Sequence, residues 1–314
     1  MGFKRFGRTT RDHTISETIR PVFRFAPSPN GYLHLGHALS ALINFELASR
    51  TGGRFLLRIE DTDIGRSRPE FVDAIYEDLS WLGLTWEEPV RQQSDHFADY
   101  DQALKRLVDE GLVYKSTCSR RDLNEARAAA QLRGVSWPVD PDGAPLPPPN
   151  ERAVGRISST PLWRGQRDYA LRLHMDAALQ LTSKGCAWRE LASSGEILQQ
   201  SSEPGAWGDI VLVGRDRPAA YHLAVVVDDA LQGITHVVRG SDLYAATSVQ
   251  CLLQQLLGLS TPVYHHHRLV LDEEQQKLSK SNQSTSLREL RQQGATPSTV
   301  RQMMGLGETD VPSI

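Results

Sequence analysis

The stretch Val22-Phe23-Arg24-Phe25-Ala26-Pro27-Ser28-Pro29-Asn30-Gly31-Tyr32-Leu33-His34-Leu35-Gly36-His37 decides the fold. Its first four residues form a short β-favouring run, the prolines and Asn30-Gly31 turn the chain, and apolar residues return at helical spacing over 35–49. The order is strand, loop, helix. Gly52-Gly53 stops that helix, residues 55–59 read as a buried strand, and Glu60-Asp61-Thr62-Asp63 follows at its carboxyl end. Pro69 suits the first turn of a further helix ending near Gly83, and Ser94 or Asp95 caps another that ends at Gly111.

Farther along, six of the 17 prolines fall between Trp137 and Asn150, where neither a helix nor a central strand survives. This marks an inserted, loop-rich region, to which the strand-like residues 169–175 belong. Residues 210–213 and 234–239 are expected to be buried parallel strands flanking a helical stretch over 221–231. Residues 242–257 read as an apolar helix closed by Gly258, and residues 269–271 precede a charged loop and a final polar helix. The expected architecture is α/β, a doubly wound, Rossmann-like parallel sheet with an inserted subdomain and a short C-terminal helical segment. The expected division is a mobile basic extension over 1–20, the first half of a nucleotide-binding domain over 21–111, and the insertion over 112–207. The second half then covers 208–260, and a loop with a C-terminal helix covers 261–314. Such sheets bind ligands beyond the carboxyl ends of their strands, so residues 26–37, 60–63 and 239–242 are the places to look.

Composition narrows the function. Thirty-five Lys and Arg against 38 Asp and Glu give a net charge of −3, which speaks against a protein that coats nucleic acid through bulk charge. Cys118, Cys186 and Cys251 lie far apart in an odd number, so neither a disulfide framework nor a paired-cysteine metal site follows, and a reducing cytoplasm is expected. No apolar run is long enough for a membrane span.

His34 and His37 stand three residues apart at the start of a helix, which puts both imidazoles on one side of its first turn, beside N–H groups that attract anions. Gly36 between them lets a flat ring such as adenine approach the backbone. Two surface histidines at a helix start are the plain alternative. Lys277-Leu278-Ser279-Lys280-Ser281 offers two ammonium groups and two hydroxyls that suit a triphosphate, although short runs of this kind are commonly solvated surface.

In that order and separation, the two elements resemble the HIGH and KMSKS signatures of the class I aminoacyl-tRNA synthetases. Residues 24–31, 57–63, 221–229 and 236–242 are similar to the catalytic domain of glutamyl-tRNA synthetases, so the likeness spans 22–281. The resemblance implies a ligase in which the α-carboxylate of glutamate attacks the α-phosphorus of ATP. Glutamyl-adenylate and pyrophosphate form, with Mg²⁺ accompanying the ATP, and the acyl group then passes to an RNA hydroxyl. It implies that His34, His37 and Lys280 are catalytic, and that Pro27, Ser28, His34, Gly36, His37, Lys277, Leu278, Ser279 and Lys280 bind ATP. It also implies an amino-acid pocket of Arg24, Ser28, Glu60, Tyr221 and Arg239. Chemically the set is apt: two guanidinium forks for carboxylates, one carboxylate for an ammonium, and two hydroxyls. Structural ion pairs between adjacent strand ends are the competing reading of the same residues.

After Ser281 only 33 residues remain, fewer than the helical anticodon-reading domains of full-length glutamyl-tRNA synthetases require, and no anticodon-binding domain is expected. A minimal catalytic domain resembles the truncated glutamyl-Q tRNA(Asp) synthetases. That likeness implies activation of glutamate without tRNA and transfer to the queuosine base in the anticodon loop of tRNA(Asp). Two rivals stand: a short glutamyl-tRNA synthetase that charges an acceptor end, and a non-catalytic RNA-binding relative.

The chain departs from the family over zinc. Where the common pattern has Cys-x-Cys, this sequence has Ser116-Thr117-Cys118, and a serine hydroxyl is a poor zinc ligand, so no metal site is expected and packing is expected to hold the insertion. His265-His266-His267 cannot converge on one ion from a strand, whose successive side chains alternate, and structural or RNA-facing roles are expected. Arg120, Arg121, Arg127 and Arg133 spread around one helix, which fits a solvated surface as well as an RNA contact.

Overall fold

The computed structural model of the chain describes residues 20–148, 151, 157, 165–182, 185–271, 285–307 and 310–313. The basic extension and Lys277-Leu278-Ser279-Lys280-Ser281 lie outside the described residues.

Strand β1 (Val22–Phe25) feeds helix α1 (Leu35–Arg50), and β2 (Arg54–Ile59) returns parallel to β1 with Arg24 opposite Leu56. Helix α2 (Pro69–Trp81) begins on its proline, and Gly83, at φ 81°, occupies the left-handed conformation that releases the chain from the helix. Strand β3 (Glu87–Gln92) then lies parallel to β2, giving the order β1-β2-β3. The sequence pattern does not disclose β3: it is a polar edge strand, Glu-Glu-Pro-Val-Arg-Gln, without the alternation that marks a half-buried one. Helix α3 (Phe97–Asp109) starts two residues after the expected caps. Residues 93–96 form a 3₁₀ turn, and Ser94 spends its backbone N–H on the Asp61 carboxylate at 2.8 Å.

The second parallel set consists of β6 (Ala187–Leu191), β9 (His236–Gly240) and β10 (Val263–His267), with β7 (Ile197–Ser201) antiparallel on the edge, in the order β7-β6-β10-β9. The two sets meet where Thr235 N–H donates to the Val22 carbonyl at 3.1 Å and Phe23 stacks on His236. Read across both, the parallel strands run β3-β2-β1-β9-β10-β6, a doubly wound order whose direction of winding reverses between β1 and β9. Helices α6 (Tyr221–Leu231) and α7 (Ala246–Leu256) pack on this second set. In α1, Asn44 is fully buried and donates to the Val238 carbonyl at 3.0 Å, which fixes the first helix to the far side of the junction.

One expectation is corrected. Residues 210–213 do not form a parallel strand of the nucleotide sheet: β8 (Val211–Val213) pairs antiparallel with β5 (Ala170–Leu173), itself antiparallel to β4 (Val113–Ser116). A short apolar run announces burial but not its partner. Strand pairing also crosses the boundaries expected from composition, since β6 falls within 112–207 yet joins the parallel sheet, while β8 completes the insertion's own sheet. Helix α4 (Arg120–Leu132) follows β4 behind a Ser119–Asp122 capping box, and α5 (Met175–Leu181) follows β5. After residue 285 the chain forms two short helices rather than one, α8 (Leu287–Gln292) and α9 (Pro297–Met303). Among the described residues, no helix is long and apolar enough to cross a membrane.

Candidate active site

Where the winding reverses, the carboxyl ends of β1, β2, β9 and β10 open onto a cavity of about 520 Å³. Arg24, Pro27, Ser28, His34, Gly36, His37, Glu60, Tyr221 and Arg239 all line it. Every residue that the sequence suggests for glutamate, and every described one suggested for ATP, therefore faces one space.

At the start of α1 the two imidazoles cap the helix themselves. His34 Nδ1 accepts the Gly36 N–H at 3.1 Å, His37 Nδ1 accepts the His34 N–H at 3.2 Å, and the ring centroids lie 3.8 Å apart. The Gly36 and His37 N–H groups are both engaged within the turn, so open backbone donors are not its main attraction for anions. With Nδ1 accepting, a neutral ring carries its proton on Nε2, a donor whose chemistry suits a phosphate oxygen. Gly36 is needed by the rings themselves: a Cβ there would meet His34 Cε1 at 3.0 Å.

On the β1–β2 side the cavity wall is a closed ionic network. Arg58 has no exposed surface and reaches Glu60 at 3.0 Å and Asp229 at 2.8 Å. Asp229 in turn holds Arg24 Nε at 3.1 Å, and Arg91 holds Asp228 at 2.7 Å. With Arg58 Nε 3.7 Å from Asp228 and Arg91 also 2.5 Å from Asp99, three guanidiniums and four carboxylates alternate. Burial pushes the Glu60 carboxyl above its ordinary range against the pull of Arg58 and Arg24. For Asp229 burial pulls the same way but is overcome by Arg24 and Arg58, which hold its carboxyl below the usual value. Arg24 therefore already has an acid partner.

On the β9–β10 side Arg239 is equally buried, at 4% exposed, but its partners are neutral. Its guanidinium donates to Gln250 Oε1 and Thr247 Oγ1, each at 2.7 Å, to the Leu243 carbonyl at 3.3 Å and to His266 Nε2 at 3.2 Å, and it lies 5.2 Å over the Tyr264 ring. Since His266 Nε2 accepts, its proton sits on Nδ1, 2.9 Å from Glu190 Oε2. Burial, with Arg239 beside it, draws this imidazole's pKa below its ordinary value against the pull of Glu190. The nearest acid to Arg239 along these bonds is thus one uncharged ring away.

Sequence reasoning missed Arg58, Asp228 and Asp229 on the first wall and Thr247, Gln250 and His266 on the second. The signal for the first was present: adjacent aspartates at the end of an apolar helix, facing an arginine inside an apolar strand. The histidine triplet divides its contacts, His265 on the Leu191 carbonyl, His266 on Glu190 and His267 on the Arg268 carbonyl; His265 and His267 are buried, and the His266 side chain is 3% exposed. In the insertion, the position expected to lack a metal is tied together by Glu151. Its carboxylate accepts from the Ser116 hydroxyl and from the Cys118 N–H at 2.8 Å, while Arg172 donates to Ser116 Oγ at 3.2 Å. A polar network accompanies the packing that was expected there. Among the described residues no group of three or more His, Cys, Asp or Glu side chains gathers to hold a metal ion.

Residues 21–310 match the family described as tRNA synthetases class I (E and Q), catalytic domain. A glutamyl-Q tRNA(Asp) synthetase of Rhodobacter capsulatus is 45% identical over 293 residues, which cover 91% of this chain and the whole of that protein. A glutamate–tRNA ligase of Prochlorococcus marinus (strain NATL2A) is 37% identical over 92% of this chain, which spans 58% of the ligase. The fold is also that of the glutamate-tRNA synthetase from Elizabethkingia anophelis, with a TM-score of 0.68 at 24% identity over 93% of this chain and 67% of the other. With the reversed winding, the shared cavity and this match over nearly its full length, the chain belongs to the class I tRNA synthetases of the glutamate and glutamine type and is a ligase of the aminoacyl-tRNA synthetase kind.

Proposed function

We propose that the chain activates L-glutamate with ATP, without tRNA, and transfers the glutamyl group to the queuosine base in the anticodon loop of tRNA(Asp). The observation that carries the glutamate reading is Arg239, a buried cation lining the cavity with only neutral hydrogen-bond partners. An isolated buried charge is costly, and a ligand carboxylate offsets that cost directly. Glu60, across the cavity, receives the ammonium, and Arg24, Ser28 and Tyr221 complete the recognition of a small dicarboxylate. The α-carboxylate oxygen then attacks the α-phosphorus of ATP, the bond to the bridging oxygen breaks, and pyrophosphate leaves.

Catalysis on this reading is positioning plus stabilisation of growing phosphate charge. The Nε2–H groups of His34 and His37 supply donors, Pro27 and Gly36 border the adenosine, and the run Lys277, Leu278, Ser279 and Lys280 supplies ammonium and hydroxyl groups for the triphosphate. Mg²⁺ comes with ATP and is held chiefly by phosphate oxygens and water. The imidazole donor edges suit the phosphates rather than the cation.

The queuosine acceptor rests on the relative matched over its whole length; the ligases matched over 58% support the second reading, charging of an acceptor end. Incubation with labelled glutamate, ATP and tRNA(Asp), with and without queuosine, separates them when the product is mapped by nuclease digestion. Label at the anticodon base that depends on queuosine is the expected result. Label on the terminal adenosine selects the second reading, and label on neither RNA, with no glutamate-dependent pyrophosphate exchange, returns the chain to a binding role.

A further inference from the structure

Three adjacent parallel strands, β6, β10 and β9, bring Glu190, His266 and Arg239 into one row. Arg239 stands opposite His266 in the β9–β10 register, and Glu190 stands opposite Tyr264, two residues before His266, in the β6–β10 register. Of the three side chains only that of Arg239 belongs to the cavity lining. Glu190 reaches the cavity through the other two, and none of the roles assigned above uses it.

The Glu190 carboxylate accepts from the His266 backbone N–H at 2.9 Å, from Trp188 Nε1–H at 3.0 Å and from His266 Nδ1 at 2.9 Å. Burial works to push this carboxyl up, but the bonds from His266 and Trp188 hold it below its ordinary range, so it is an anion at neutral pH. An ionised carboxylate can only accept, which places the proton of a neutral His266 on Nδ1. The other nitrogen, Nε2, is then an acceptor, 3.2 Å from Arg239 Nε and 3.1 Å from Thr247 Oγ1. In the opposite tautomer an N–H would face the N–H of Arg239, and the bond would be lost. The imidazole is enclosed, with the Tyr264 ring parallel to it at 6.0 Å and the Tyr244 ring edge-on at 5.0 Å, so it cannot present another edge to Arg239 without repacking.

Taking the glutamate reading of the cavity as given, we propose that Glu190 is a positioning residue for the amino-acid site: it fixes the His266 tautomer, and the imidazole so fixed holds Arg239 by Nε without cancelling its charge. The arrangement separates orientation from charge. A carboxylate placed directly on Arg239 would answer its charge within the fold, as Asp229 does for Arg24 at 3.1 Å. Relayed through a neutral ring, the same carboxylate orients the guanidinium and leaves its charge for a ligand carboxylate.

The test begins with the wild-type protein, by nitrogen NMR of isotope-labelled histidines, with the His266 signals assigned from their loss in His266→Gln. A neutral ring protonated on Nδ1 is expected at neutral pH; a ring protonated on Nε2, or an imidazolium, overturns the proposal. In glutamate-dependent pyrophosphate exchange, Glu190→Gln should raise the KM for glutamate by about tenfold, the worth of one hydrogen bond to a charged group, while kcat and the KM for ATP stay within about twofold. Glu190→Asp, which keeps the charge, should recover part of that loss. His266→Gln can offer Arg239 an amide oxygen that needs no tautomer, so in that background Glu190→Gln should add less than about twofold. An unchanged KM in Glu190→Gln, or a tenfold effect that persists without His266, overturns the proposal. Should Glu190→Gln fail to fold, the wild-type tautomer and the KM of Glu190→Asp decide the matter. Absence of glutamate-dependent exchange in the wild type would instead sink the activation reading, and the tautomer, read without substrate, still shows whether Glu190 sets the ring.

Discussion

The two walls of the candidate cavity bury Arg24 and Arg58 on one side and Arg239 on the other, but in opposite electrostatic states. On the β1–β2 side Arg24, Arg58 and Arg91 alternate with Glu60, Asp228 and Asp229, so each charge meets its opposite within the fold. On the β9–β10 side Arg239 is held by an amide, a hydroxyl, a carbonyl and a neutral imidazole. The first wall is complete without ligand. The second is fixed in geometry but short of an anion, the arrangement expected of a pre-organised carboxylate site. Ion pairing inside a protein thus does not by itself mark function; the informative cation is the one whose charge the fold does not answer.

Exchanging the two arginines' roles is the severest way to break this contrast. Arg239→Ala should cost about 3–5 kcal/mol in glutamate recognition, read as a fall of roughly two to four orders of magnitude in kcat/KM for glutamate-dependent pyrophosphate exchange. The melting temperature should move little, because no acid loses its direct partner. Arg58→Met should do the reverse. It leaves Glu60 and Asp229 short of a cation and should destabilise the fold by about 3–5 kcal/mol, a drop of roughly 10 °C in melting temperature. Similar melting temperatures for the two variants would show that the walls do not differ in the way described.

Lys280 lies outside the described residues, and its expected effect sharpens the division between recognition and chemistry. Lys280→Ala should lower exchange turnover by about 3 kcal/mol in activation free energy with a smaller change in the KM for glutamate. A larger change in KM than in turnover would move this lysine from the triphosphate to the amino acid.

Asp78 in α2 supplies a smaller contrast from outside the cavity. It is fully buried, neither oxygen has a hydrogen-bond partner, and the nearest cation, Arg291, stands 3.8 Å away. Burial pushes its carboxyl up to about 6. Because the folded value lies above the unfolded one, the folded state holds the proton more tightly, and stability falls as pH rises from about 4 to 6. Asp78→Asn should therefore raise stability by about 2–3 kcal/mol at pH 7–8, with the gain shrinking toward pH 4. Denaturant titrations at the two ends of that range check it; a gain independent of pH would show that Asp78 is not ionised by burial-opposed titration in the fold.

The legible parts of this molecule were those whose signal is local. The strand, turn and helix around Pro27 and the doublet of histidines could be read because period, proline and glycine act within a few residues of themselves. Glu60 and Arg239 were legible as candidates because they fall at the ends of buried strands, where this fold places ligands, and Arg24 because of the likeness to the glutamyl-tRNA synthetases. What stayed hidden depends on pairing across long separations. Asp229 meets Arg24 from 205 residues away, Glu151 reaches Ser116 across the proline-rich loop, and β8 chooses β5 rather than the parallel sheet. Apolar composition gives burial without giving the partner. Strand β3 was hidden for a different reason, since an edge strand rich in charge carries no apolar rhythm.

A crystal structure of the chain with bound L-glutamate tests the central claim most directly. The account predicts one carboxylate of the amino acid on the Arg239 guanidinium and its ammonium within hydrogen-bond reach of Glu60, with the Arg58–Asp229 pair undisturbed. Glutamate seated away from Arg239, or a carboxylate that draws Arg24 off Asp229 while Arg239 keeps its neutral partners, would contradict it.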